Sequence, residues 1–331
     1  MPTLQFNIKF KTQYGQRLLV VGNLPALGKG NNAAACPMVY LNEDTWQLVL
    51  DTPDQIPKTG LRYKYLLENQ DGSIITEWGE DRVVGLSTGQ SLLLLDTWNH
   101  AGDFMNAYFT SPFQEVLLTK QKKSLRKKGN LANFIFKIKA PLLTGDQQIC
   151  LIGSNAILGN WATSAPKFLE KKNHWWEVSL DLPLFTEDIQ YKYGIWDRKK
   201  KSFVSFEEGE NRVLPGWLDA NYSRKIIHDG FYHQTMNRWR GAGVSIPVFS
   251  LRSESSFGIG EFTDIKLLAD WAQSAGLKLI QLLPINDTIA TNTWLDSYPY
   301  AAISAFALHP IYINLAEVAG TKYAKKLRLL R

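Results

Sequence analysis

The chain has 331 residues, 45% of them hydrophobic and 21% charged, with a net charge of +6. That length and apolar content provide for two or three packed domains and exclude a disordered or fibrous chain. The excess charge sits in one run, Lys120, Lys122, Lys123, Arg126, Lys127 and Lys128, so the remainder is balanced and neither a nucleic-acid nor a membrane-surface role is indicated.

In chain order, the opening MPTLQFNIKF alternates polar and apolar residues and lacks the continuous apolar core of a signal peptide. No window approaches the roughly 18 apolar residues of a membrane span. Further segments, RLLVVG, TWQLVL, NFIFKIK and IQYKYGI, alternate in the same way, with turn signals between them. The segments also repeat. LLVVGNLPALG is echoed by ICLIGSNAILG, pairing Gly22 with Gly153. TWQLVL and LRYKYLL are echoed by WWEVSL and IQYKYGI, pairing Trp46 with Trp176 and Lys64 with Lys192, and EDR by ENR, pairing Arg82 with Arg212. Landmarks in one order at nearly one spacing mean a tandem domain. The alternation predicts a compact antiparallel β-sandwich for each copy, with Trp46 and Trp176 in the cores. Cys36 and Cys150 lie in different segments without metal-ligand spacing, which argues against a disulfide framework or a zinc site and fits a reducing compartment, so the chain is expected to be cytoplasmic.

From about Arg240 the texture changes. GVSIPVFSL and KLIQLLPI read as buried strands, and TDIKLLADWAQSAG between them carries Ile265, Leu268, Ala269, Ala272 and Ala275 at helical spacing, which predicts a parallel β-α-β unit. Asp264 suits the helix start and Gly276 its stop. WLDSYPYAAISAFALHP follows at 294–310 and reads as a loop. The expected division is a first sandwich at 1–112, a basic linker at 113–131, a second sandwich at 132–228 and an α/β segment at 229–331.

Both copies resemble starch-binding carbohydrate-binding modules of family 20. The resemblance rests on YGQ with VVG and LG in the first, LIGSNAILGNW in the second, and in both YKY followed by an aromatic and then an acidic residue before Arg. It implies a principal sugar site made by the Trp of LGNW, the Lys of YKY and a later aromatic. In the second copy these are Trp161, Lys192 and Phe206. In the first they are Lys64 and Trp78, with Lys29 and Gly30 standing where the leading Trp is expected. Tyr14 of TQYGQ would line the family's second sugar site. The residue types suit a glucan: the C–H face of a glucose ring desolvates well against a flat aromatic, while its hydroxyls need donors and acceptors. Without the resemblance, Lys64 and Lys192 read equally as solvated strand residues.

The third segment, from SIPVFSLRSESSFGIGEF through LLPINDT to DSYPYAAISAFALHPIYINL, resembles the opening of the family 77 glycoside hydrolases, the 4-α-glucanotransferases or amylomaltases. Two starch-binding modules ahead of this opening are similar to the type 2 disproportionating branch of that family. The fold implied is two all-β antiparallel sandwiches followed by the α/β start of a TIM (β/α)8 barrel, whose active site lies at the C-terminal ends of its strands. Loop 294–310 would then cover that face. Tyr300 matches the tyrosine of the family's SPY, near the bound glucose, and Tyr298 replaces its Ser. Asp296 and Ser297 are expected to hydrogen-bond sugar hydroxyls, Phe306 and Tyr312 to pack the loop, and His309 and Asp287 to shape it.

The family's reaction is retaining, with one carboxylate as nucleophile and one carboxylic acid as proton donor about 5 Å away. Those groups belong to later barrel strands, so the chain is expected to end near the third β-α unit, to hold no catalytic residue and to be inactive alone. Two functions stay open. One is part of an enzyme moving glucosyl or maltooligosyl units between maltose and starch- or glycogen-like polysaccharide; the other is a non-catalytic starch- or glycogen-binding protein. The partner in either case is an α-glucan, and no metal or other cofactor is expected.

Overall fold

The computed structural model describes residues 2–329 apart from 52–59, 86, 88, 119–131, 184, 217, 219–221 and 234–238, so the basic run lies outside the described residues. The chain forms two compact units, Met1–Arg238 and Trp239–Arg331.

In the first unit the two repeats trace the same nine strands. The first copy contains β1 (Thr3–Lys9), β2 (Arg17–Gly22), β3 (Cys36–Pro37), β4 (Val39–Asn42), β5 (Thr45–Asp51), β6 (Leu61–Glu68), β7 (Ile74–Thr76), β8 (Arg82–Val84) and β9 (Leu92–Thr97). The second contains β10 (Phe134–Lys139), β11 (Gln147–Gly153), β12 (Lys167–Phe168), β13 (Glu170–Lys172), β14 (Trp175–Leu180), β15 (Ile189–Asp197), β16 (Ser202–Phe206), β17 (Arg212–Leu214) and β18 (Arg224–Phe231). One sheet of the first sandwich runs β3-β2-β6-β7 with β8 beside β6, and its counterpart runs β12-β11-β15-β16 with β17 beside β15. Period-two alternation sets the faces. Tyr63 and Tyr65 of β6, and Tyr191 and Tyr193 of β15, turn inward and are fully buried, which leaves Lys64 and Lys192 on the outer face. Trp46 and Trp176 are buried, as their strand patterns imply.

The other sheet is shared. β9 and β18 pair in parallel, from Leu92 opposite Arg224 to Asp96 opposite His228, and this seam makes one eight-stranded sheet, β13-β14-β10-β18-β9-β1-β5-β4. Pairing within the sandwiches is antiparallel except where each first strand lies parallel to the last, β1 with β9 and β10 with β18. Alternate side chains of the seam strands enter different cores. Leu92 and Leu94 pack with Phe6 and Tyr63, while Leu93 packs with Phe136 and Tyr193 of the second copy. Reciprocally, Ile227 enters its own core and Ile226 the core of the first copy. Tyr222 adds a cross-copy hydrogen bond, donating to Gln5 Oε1 at 2.5 Å.

In the second unit β19 (Gly243–Ile246) and β20 (Leu279–Leu282) are parallel neighbours with α1 (Asp264–Ser274) between them in sequence, the expected β-α-β order. α2 (Leu315–Arg328) follows the long loop. Asp264 is buried and accepts from Ser253 Oγ at 2.6 Å and from the Glu261 amide at 2.8 Å, so it ties the preceding turn to the helix start. Gly276, at φ +73°, follows α1 in the left-handed conformation suited to its stop. Gly260 of FGIGEF has a steric reason, since a Cβ there would fall 1.9 Å from the Val248 carbonyl oxygen, while Gly258 takes the left-handed φ of +84°.

Candidate functional site

Three surfaces carry the residues singled out by the sequence. On the second sandwich, Gly159, Asn160 and Trp161 follow one another in the left-handed region at φ +86°, +46° and +63°. The Trp161 amide donates back to the Gly153 carbonyl at 2.8 Å. This turn leaves the indole half-buried and edge-on to Phe206, with ring centroids 6.3 Å apart, and Phe203 backs Phe206 at 4.6 Å. Lys192 reaches out from β15 and its ammonium donates to the Gly209 carbonyl at 2.7 Å. The structure therefore brings Trp161 and Phe206 together and anchors Lys192 on the hairpin that follows Phe206.

The first sandwich repeats the backbone without the ring. Gly28, Lys29 and Gly30 lie at φ +75°, +51° and +83°, the same left-handed run, and Gly30 occupies the place of Trp161. Lys64 is held by Asp81 at 2.8 Å, whereas Lys192 of the second copy, which has Asn211 in place of Asp81, bonds the Gly209 carbonyl. Trp78 is half-buried beside Asn99, whose carbonyl accepts its amide at 3.1 Å. Tyr14 is 98% exposed in its turn.

Beneath each platform lies a buried polar cluster that the sequence reading did not anticipate. Tyr63 and Tyr65 donate to Asp96 at 2.9 and 2.5 Å, and Arg82 forks onto Glu77 at 2.5 and 2.6 Å. In the second copy Tyr191 and Tyr193 donate to Asp229 at 2.9 and 2.7 Å, and Arg212 forks onto Glu207 at 2.8 Å through both nitrogens. Burial pushes both aspartates up. At Asp96 the Arg82 guanidinium and the His228 and Tyr65 donors outweigh it and hold the carboxyl below its usual range, whereas at Asp229 burial prevails. His228 Nδ1 lies 2.6 Å from Asp96 across the seam, and burial holds the imidazole down at about 4, so a neutral ring donates Nδ1–H. These clusters fix the YKY strands against the last strands and so aim the intervening lysines outward. The available signal was the repeat itself: YKY and the acid-x-Arg or acid-Asn-Arg motifs recur together because they are bonded through one aspartate.

On the second unit, Asp296 and Ser297 line a cavity of about 460 Å³ with Arg252, Asn286, His309 and Tyr312. Their polar atoms are already engaged. Asp296 accepts from the Thr291 and Asn292 amides, the latter at 2.7 Å, and from Thr291 Oγ1 at 2.8 Å, while Ser297 Oγ donates to the Trp294 carbonyl at 2.7 Å. Tyr300 is 60% exposed, lies against Tyr298 at 5.6 Å and stands outside that lining. Tyr312 is buried as expected, but Phe306 is 94% exposed, which corrects the expectation that it packs. The physical reason is backbone pairing: Asp287 donates to the Ala307 carbonyl and accepts from Ile303, and this ladder leaves the Phe306 ring pointing outward. Asp287 and His309 act in the loop, accepting from the Ile289 and Ile311 amides at 3.0 and 3.1 Å. No helix of the described residues is long and apolar enough to cross a membrane.

Residues 2–93 and 133–225 each match the family model described as Starch binding domain, and residues 246–331 match that of 4-alpha-glucanotransferase. The 4-alpha-glucanotransferase DPE2 of Oryza sativa subsp. japonica is 33% identical over 96% of this chain and 35% of its own length. A 4-alpha-glucanotransferase of Chlamydia pneumoniae is 40% identical over 26% of this chain and 16% of its own, and a glucoamylase of Neurospora crassa is 34% identical over 28% and 15%. The chain thus spans about a third of the rice relative and less of the others. With two tandem matches that together cover more than half of its residues, the chain belongs to the starch binding domain family, and residues 246–331 after them match the 4-alpha-glucanotransferase family model.

Proposed function

We propose that this chain is the glucan-recognising part of a 4-alpha-glucanotransferase, an enzyme transferring glucosyl or maltooligosyl units between maltose and a starch- or glycogen-like polysaccharide by retaining double displacement. The observation that carries the reading is the 33% identity to the rice relative across 96% of the chain, through both modules and the third segment. Residues 1–112 and 132–231 serve as the two modules, the second running to the end of β18 rather than stopping at 228, with 113–131 as their basic linker and the unit from Trp239 on as the first part of the barrel. Trp161, Phe206 and Lys192 form the stronger platform, with two rings in contact and an ammonium tied to the Gly209 carbonyl of the hairpin that follows Phe206. Lys64 and Trp78 form a weaker one, because Gly30 supplies no ring and Asp81 engages the lysine. Tyr14 contributes an exposed ring for a second contact. Asp296 and Ser297 line the cavity under the loop and Tyr300 stands exposed beside it, and all three serve as sugar contacts once the cleft is complete. The reaction runs without a cofactor, and the compartment is the cytoplasm.

The test has two arms. Affinity electrophoresis in amylopectin is expected to retard this chain, and Trp161→Ala to reduce the retardation. A glucose-release assay from maltose plus glycogen is expected to give turnover with a protein that contains this chain and the later barrel strands, and none with this chain alone. Retardation without turnover by either form would leave the non-catalytic binding protein as the correct reading.

A further inference from the structure

The seam between the two sandwiches creates a cavity that neither copy has alone. It measures about 360 Å³, within the roughly 300–1,000 Å³ typical of small-ligand pockets. The first copy contributes Trp78, Trp98, Asn99 and Phe109, and the second contributes Lys139 and Trp175. The parallel pairing of β9 with β18 sets these walls side by side.

A register shift supplies the feature on which recognition depends. Along β10 and β18, Lys137 stands opposite His228 but Lys139 stands opposite Phe231, so β18 carries one extra residue, with Gly230 at φ +69°. The equivalent pair in the first copy, Lys9 opposite Thr97, has no such bulge, and Lys9 is exposed. The shift places the Lys139 ammonium against three rings, 4.8 Å from Trp175, 5.3 Å from Phe109 and 5.4 Å from Phe231. Among the described residues no acceptor lies within hydrogen-bond distance of it, and burial brings the group down to about 8. On the opposite wall Asn99 Oδ1 is buried with no partner, its Nδ2 being spent on the Trp78 carbonyl at 3.0 Å.

A buried acceptor without a partner, the Asn99 amide oxygen, which costs free energy while unmet, and the half-buried Lys139 ammonium thus line one aromatic cavity. The lining carries no excess of positive charge: Arg82 is matched by Glu77, Arg212 by Glu207 and Asp229, Asp81 is engaged by Lys64, and Glu80 and Asp103 more than offset Lys139. A net anion is therefore not favoured. Hydroxyl groups both accept and donate, and a pyranose presents them around a C–H face that desolvates against indole. We propose that this inter-module cavity is a third saccharide site, taking one or two neutral α-linked glucosyl residues through the Lys139 ammonium, the Asn99 amide oxygen and the indoles of Trp98 and Trp175. The proposal rests on the α-glucan reading above, and it assigns the joining of the modules a role in binding.

The experiment uses the full chain carrying Lys64→Ala, Trp161→Ala and Lys192→Ala, which removes both platform lysines and the Trp161 ring and retains Trp78, which also lines this cavity. Maltose is titrated by calorimetry and by amide chemical shifts. Residual binding is expected in which the Gly230 amide shifts together with Gly79, a pair that only this cavity joins, and adding Lys139→Met should weaken it at least tenfold. Absence of shifts at Gly79 and Gly230 in the triple variant, unchanged affinity in Lys139→Met, or a stronger response to inorganic phosphate than to maltose would each overturn the proposal. The shifts in the triple variant decide the matter even if Lys139→Met does not fold. If the unaltered chain binds no maltose or amylopectin, the α-glucan reading itself fails; if only the triple variant loses binding, the third site alone fails.

Discussion

Truncating Leu93 to alanine is expected to destabilise the second sandwich, although the residue belongs to the first copy of the repeat. Leu93 is fully buried on β9, at the middle of the eight-stranded sheet, and packs with Phe136 and Tyr193. Leu→Ala changes in cores cost about 2–5 kcal/mol, the larger values where surroundings cannot collapse. Strands on both sides restrain this site, so we expect about 3–4 kcal/mol. The assay is native-state amide exchange of Ile149 in β11 and Tyr193 in β15. At roughly 1.4 kcal/mol per tenfold, their exchange through cooperative opening should speed up by about a hundredfold or more. If those amides exchange at the unaltered rate while only first-copy amides respond, the seam does not couple the cores and the reasoning is refuted.

Other substitutions address the sites. Trp161→Ala removes one ring face, which at about 25 cal/mol per Å² over an area on the order of 80 Å² is worth roughly 2 kcal/mol, so amylopectin affinity should fall 10- to 50-fold. Gly30→Trp should strengthen binding by the first sandwich in a Trp161→Ala background, because the backbone already follows the Trp161 path and a Cβ there meets nothing within 4 Å; unchanged retardation would count against the shared geometry. Folding lowers the His228 pKa from 6.5 to about 4, so the unfolded chain binds the extra proton between those values and stability is lost as pH falls through that window. The loss should approach roughly 3 kcal/mol, and His228→Gln, compared by urea unfolding at pH 7 and pH 4, should lack it. Arg212→Met leaves Glu207 and Asp229 buried without their cation and should cost about 3–5 kcal/mol in thermal unfolding.

The architecture of each sandwich was legible because alternation and turn signals act locally: a period-two pattern such as IQYKYGI can bury its tyrosines only as a strand. The β-α-β order of the second unit was legible for the same reason. LGNW and LGKG marked two turns of the same left-handed backbone, one carrying Trp161 and the other Gly30. Phe306 was misjudged because hydrophobicity alone does not say which way a loop residue points once its neighbours pair through the backbone. The buried Tyr-Asp-Arg-Glu clusters were present in the repeat as recurring letters, but partners such as Tyr63 and Asp96 are 33 residues apart and only packing identifies them.

By itself, then, the sequence determined two homologous β-sandwiches and an α/β segment after them. Periodicity and short motifs determine element type and exposed chemistry without knowledge of distant contacts. The tertiary structure alone decided that the sandwiches share one sheet, that Leu93 and Ile226 exchange cores, and that a bulge carries Lys139 into an aromatic cavity between them. Those outcomes depend on strand register across 132 residues, from Asp96 to His228, which no local pattern encodes.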